Sequence, residues 1–111
     1  MNMDRDLLSI QSVRELIPKA LAAHKEFKSW SQERVDSLCK ALADIAYRES
    51  SRLAKLAVEE TNMGVYEDKI IKNQFASRDL WEMIRGMKTV GILEHDKRRK
   101  LMEIALPMGV I

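Results

Sequence analysis

The stretch Ala57-Val58-Glu59-Glu60-Thr61-Asn62-Met63-Gly64-Val65-Tyr66-Glu67-Asp68-Lys69 constrains the fold more than any other part of the chain. Up to Glu60 the apolar residues recur at helical spacing, and from Glu67 a second helical pattern begins. A glycine between two such patterns suits a helix C-terminus entering the left-handed region, and acidic residues just beyond it suit the positive end of the next helix dipole. One helix is therefore expected to end near Asn62, with a turn at Met63-Gly64 and a new helix from Glu67. Adjacent helical carboxylates point in different directions, so Glu67 and Asp68 are dipole partners rather than a general acid and base.

Upstream, Val13, Leu16, Ile17, Ala20, Leu21 and Phe27 form one broad helical stripe. Ser12 followed by Glu15 fits a capping box. Pro18 conflicts with it, because a proline past the first turn removes a helical N–H at a cost of about 3 kcal/mol. A start near Ile17, with Pro18 in the first turn, resolves the conflict. This helix is expected to pack on its own protein, the alternative being a docking or targeting peptide. A second helix follows Ser29 and Ser31, with Glu33 in its first turn and Val35, Leu38, Leu42 and Ile45 along its stripe. Ser50 and Ser51 offer the cap of a third, which carries Leu53, Leu56 and Ala57.

Downstream of the glycine turn, Ile70, Phe75, Leu80, Trp81 and Ile84 give a fourth helix its apolar surface as far as Gly86. Thr89 to Leu93 and Met102 to Leu106 read as β segments able to pair as a hairpin around the charged connection Glu94 to Lys100. Leu106 to Ile111 reads as apolar and strand-like, a pattern not completed within the 111 residues. The fold class is mostly α with a C-terminal β hairpin or strand pair, in a single segment.

Composition narrows the function by exclusion. The 19 basic and 17 acidic residues are interleaved, leaving a net charge of +2 and no strong field for nucleic acid or anionic lipid. The one basic cluster, Lys97 to Lys100, lacks interleaved aromatic residues and suits a solvated loop. No apolar run approaches the ~20 residues of a membrane span. Cys39 is the single cysteine, which fits a reducing compartment and a cytoplasmic protein. It lies among apolar residues within the second helix, where it is expected to behave as a small buried hydrophobe rather than as a nucleophile, which needs a cationic neighbour or a helix N-terminus. His24 and His95 have no His or Cys at ligand spacing, so no metal site is predicted. Trp81 with Met83 and Met87 could line a ligand box, but packing against another surface is favoured.

The sequence Leu53 to Asn73, "LAKLAVEETNMGVYEDKIIKN", followed by Trp81, "KTVGIL" and "ALPMGVI", resembles the N-terminal part of the CoA-acylating aldehyde dehydrogenases. The resemblance runs in order from about Val13 to Ile111, with Pro18 a departure from it. It implies a longer enzyme of α/β aldehyde dehydrogenase fold, whose cysteine thiolate attacks an aldehyde, passes hydride to NAD or NADP, and hands the acyl group to CoA. It assigns residues 12–87 to a helical N-terminal region, 88–106 to strands that link subunits, and 107–111 to the start of the nucleotide-binding domain. It also implies a homo-oligomer, and leaves residence in a bacterial microcompartment open. No residue of this chain is assigned a catalytic, cofactor-binding or metal-binding role, and the chain by itself is expected to be inactive. The competing expectation is a free-standing helical protein-interaction module.

Overall fold

A computed structural model describes residues 4–111. In order, the elements are α1 (Arg5–Phe27), α2 (Gln32–Arg48), α3 (Ser50–Thr61), α4 (Tyr66–Gln74), a π-helical turn (Phe75–Asp79), α5 (Leu80–Ile84), β1 (Gly91–Asp96) and β2 (Leu101–Ala105). They fall into two compact units, one of Gln32–Lys88 and one combining the described residues up to Ser31 with Thr89–Ile111. No helix among the described residues is long and apolar enough to cross a membrane.

In the helical unit α3 packs against α4, and α2 packs against the π turn and, less extensively, against α3, α4 and α5. Ala54 of α3 is completely buried, and among the described residues it is the only hydrophobic residue so enclosed. A methyl group is small enough to let two helix backbones come close, and larger side chains are pushed to the rim of the contact. A polar bond crosses the same contact, the Asn73 side-chain amide donating to the Ser50 carbonyl at 3.1 Å. Ser77 in the π turn is buried too, its hydroxyl lying 2.6 Å from the Asn73 carbonyl and 3.2 Å from that of Gln74. A π turn leaves backbone carbonyls without their usual α-helical partners, and a hydroxyl set among them supplies a donor.

The turn between α3 and α4 is left-handed at two residues. Asn62, the C-cap of α3, has φ 54°, and Gly64 has φ 84°. Asn62 therefore takes the capping conformation that the sequence assigned to Gly64, as asparagine tolerates the left-handed region better than most side chains. Gly64 is still required: a Cβ there would sit 2.6 Å from Lys69 Cε. Gly64→Ala is expected to lower stability by about 1–2 kcal/mol, mostly from backbone strain since the lysine tip can move. Gly86→Ala meets nothing within 4 Å at an ordinary φ and should be neutral or slightly stabilising. Chemical denaturation of the two variants checks the contrast.

Among the helices, three boundaries differ from the sequence-based expectation. First, α1 starts at Arg5, ahead of both Ser12 and Ile17, and runs through Pro18. The Ser12 hydroxyl donates to the Leu8 carbonyl at 2.9 Å, and Glu15 accepts from the Gln11 amide at 2.8 Å, so neither acts as a cap. Leu7, Leu8 and Ile10 continue the apolar pattern ahead of Val13, and the helix carries Pro18 in its interior without ending there. Second, α3 is capped by Glu49 without a side-chain bond, and Ser50 is its buried first residue rather than a solvent-facing cap. Third, the expected single helix from Glu67 to Gly86 is divided by the π turn.

In the other unit α1 ends where Lys28 N–H donates to the His24 carbonyl at 3.0 Å, and Phe27 meets Trp30 with ring centroids 5.5 Å apart. The expected hairpin is present, but β1 spans Gly91–Asp96, taking in Glu94 to Asp96, which the sequence pattern assigns to the connection, and β2 spans Leu101–Ala105. Strands β1 and β2 pair antiparallel with Gly91 opposite Ala105, Ile92 opposite Ile104, Glu94 opposite Glu103, His95 opposite Met102 and Asp96 opposite Leu101. A bulge between Ile92 and Glu94 shifts the register. Leu106 to Ile111 has no regular secondary structure, where a strand was expected at Gly109 to Ile111. A strand needs a ladder partner, and none of the described residues provides one there.

The hairpin turn is tied by Asp96, which accepts from the Arg99 backbone N–H at 2.8 Å and from Arg99 Nε at 2.7 Å. The backbone bond first, and then the guanidinium, hold the Asp96 carboxyl below the ordinary aspartate range. The stability this contributes is fully present above the ordinary aspartate pKa and is lost as pH falls through the lowered one. The Arg99 amide resonance should therefore move on acidification only below the usual aspartate range. Asp96→Asn should abolish that titration, and a midpoint at the ordinary value would contradict the tie.

Candidate functional site

The feature of the helical unit most like a binding site is a groove between α2 and the segment from the π turn to α5. Cys39, Leu42, Ala43 and Ala46 line one wall, and Ala76, Ser77, Leu80, Trp81 and Ile84 the other, around a volume of about 250 Å³. The groove forms because α2 turns its small residues Ala43 and Ala46 toward a π turn that is itself built from Ala76 and Ser77. Small side chains on both sides leave room between the larger ones at the rim. No charged residue lines it, and its one hydroxyl, Ser77, is already bonded to backbone carbonyls. Such a lining can hold apolar groups by burial but cannot orient a reacting one.

Cys39 is half-buried in this wall. None of the other residues lining the groove is a cation or a histidine. Trp81 shares the groove, but Met83 and Met87 do not line it, and Met83 is 71% exposed, so the three form no common box. Glu67 and Asp68 lie in the first turn of α4, as expected of dipole partners. His24 occupies the last turn of α1 and His95 lies in β1. Among the described residues no three of His, Cys, Asp and Glu come together as a metal site. Lys97 to Lys100 form the hairpin turn.

A second recess, of about 390 Å³, is lined by Asp44, Tyr47, Arg48 and Arg78, a grouping that sequence reasoning missed. Arg78 leaves the π turn and donates from Nη1 to the Tyr47 hydroxyl at 2.7 Å, with its guanidinium carbon 4.3 Å from the ring centroid. Its Nε donates to Asp79 at 3.2 Å. Asp79 above all, helped by Tyr47, makes the guanidinium hold its proton more firmly than usual. Asp44 is paired with Lys40 at 2.6 Å. Of these contacts, the one between Arg78 and Tyr47 joins α2 to the π turn, and no periodicity in the sequence marks a tyrosine and an arginine so far apart as partners. Arg78→Ala should loosen that join without unfolding the unit, seen as a loss of protection of α2 and π-turn amides in hydrogen exchange.

No protein-family model matches the chain. It is 47% identical over 100 residues to a succinate-semialdehyde dehydrogenase (acetylating) from Clostridium kluyveri, covering 90% of this chain and 22% of that protein. Among solved structures it superposes on a probable aldehyde dehydrogenase from Listeria monocytogenes EGD-e with a TM-score of 0.80 at 47% identity, covering 92% of this chain and 22% of that one. It also superposes on an acetylating aldehyde dehydrogenase from Geobacillus thermoglucosidasius with a TM-score of 0.81 at 42% identity, covering 93% and 23% respectively. The chain spans about a fifth of the length of each of these proteins.

Proposed function

We propose, from the premise that this chain belongs to the acylating aldehyde dehydrogenases as a segment of one of them, that it is the N-terminal scaffold of an enzyme converting an aldehyde, CoA and NAD or NADP to an acyl-CoA and the reduced nicotinamide. The observation that carries the proposal is likeness along nine-tenths of this chain to only about a fifth of the relatives' length. The exposed apolar surface supports it. Leu7, Ile10, Val13, Leu16, Ile17 and Leu21 on α1 are all exposed, an arrangement that suits a segment covered by more polypeptide.

Neither recess fits a dinucleotide or CoA. The Cys39 groove has no charge to meet a pyrophosphate, and no glycine lines either recess to let a phosphate approach the backbone. The nicotinamide and CoA would supply hydride acceptance and acyl acceptance from sites in the rest of the enzyme, and no residue here is given a part in either. Residues 12–87 would complete a face of the cofactor domain, 88–106 would join subunits of a homo-oligomer, and 107–111 would lead into the nucleotide-binding sheet. The enzyme is assigned to the cytoplasm, as this segment carries one cysteine, the free Cys39, and no disulfide, which suits a reducing compartment.

The test is an exchange. The matched segment of the Clostridium kluyveri enzyme is replaced by this chain, and CoA-dependent NADH formation is measured. Retained turnover supports the scaffold reading. A soluble, folded and inactive chimera would contradict it.

A further inference from the structure

We propose that the groove between α2 and the π turn receives an aliphatic ridge from the remainder of the aldehyde dehydrogenase polypeptide, so that Cys39 is a covered contact in the assembled enzyme. The proposal rests on the functional reading above and names the partner of this face.

The lining fixes the chemistry of the occupant. With no charged residue and with the Ser77 hydroxyl already bonded, a polar occupant would lose its hydration and find no partner. The volume of about 250 Å³ suits side chains reaching in from a passing element rather than a whole helix. The rim narrows the choice further. Leu42 is 57% exposed, and Leu80 and Ile84 are also exposed beside the groove. A small apolar molecule could fill the floor but would leave that rim in water, whereas a polypeptide ridge buries both. Most of the length of each relative lies outside the stretch this chain spans, so the polypeptide to supply a ridge exists in them.

Cys39 is its own reporter. The isolated chain and the Clostridium kluyveri chimera are treated with a bulky maleimide, labelling of the Cys39 peptide is followed by mass spectrometry, and the isolated chain is sedimented in parallel. In the isolated chain Cys39 should label readily in a monomer. In the chimera it should label roughly tenfold more slowly or less until denaturant is added, since thiol reactivity follows access. Equal labelling in an active chimera would overturn the groove proposal while leaving the functional reading intact. A slow-labelling but inactive chimera would count against the functional reading alone. Should the chimera fail to fold, the isolated chain can still refute it: a dimer with Cys39 shielded, or a monomer in which Cys39 resists labelling, overturns the proposal.

Discussion

Ala54→Phe should remove more than half of the helical unit's stability. Ala54 has 0% exposure and lies on α3, which packs against α4, beside the Asn73 to Ser50 bond of 3.1 Å. A phenyl ring has no room there unless the helices separate, and separation also breaks that bond, leaving the amide and the carbonyl to find water. Overpacking of this kind costs about 3 kcal/mol. A unit of this size is held by only about 5 kcal/mol. The rest of the unit is poorly placed to compensate, because larger hydrophobic residues of α3, α4 and the π turn, Leu53, Leu56, Ile71 and Phe75, are already exposed. Circular dichroism melting should show an early, broad transition for the variant. Ala54→Gly, which lacks the clash, should lose only about 1 kcal/mol. An unshifted transition for Ala54→Phe would mean that α3 and α4 are not in close contact in solution.

The second large effect depends on context. Leu42→Asp in the isolated chain should change stability by no more than about 0.5 kcal/mol, as substitutions on an open surface do. In the chimeric enzyme the same change would place a carboxylate inside a filled apolar groove without a partner, a cost of about 3 kcal/mol or more. The same substitution should therefore be silent in one protein and severe in the other, with melting temperature and soluble yield as readouts. Equal effects in both would show that Leu42 stays in water after assembly. The contrast needs no assumption about which aldehyde the enzyme uses.

Much of this architecture was legible in the sequence because most elements obey one simple period. The stripe of Val35, Leu38, Leu42 and Ile45 located α2, and the alternation around Met102 and Ile104 located β2. Where two local rules competed, the sequence misled. Pro18 carried more weight than the unbroken stripe around it, so the first turns of α1 were missed. The π turn was invisible for a different reason. An extra residue in one turn leaves apolar residues on either side at plausible helical spacing, so Phe75 and Leu80 look continuous in sequence while the backbone between them is not α-helical. Of the groove, the individual residues were readable as apolar, and Cys39 was placed among them correctly. That Cys39 and Trp81 line one recess follows from the docking of α2 on the π turn, which no local pattern encodes. The Tyr47 and Arg78 contact was unreadable on the same ground.

The first experiment to perform is the simplest. The 111-residue chain, purified by itself with its intact mass confirmed at 12.8 kDa, is assayed for CoA-dependent NADH formation from acetaldehyde, propionaldehyde and succinate semialdehyde. A scaffold without catalytic residues gives no turnover with any of the three. Turnover at that mass, in protein free of contaminating dehydrogenase, would contradict the assignment of the chemistry to the rest of the enzyme, and would return Cys39 to consideration as the nucleophile.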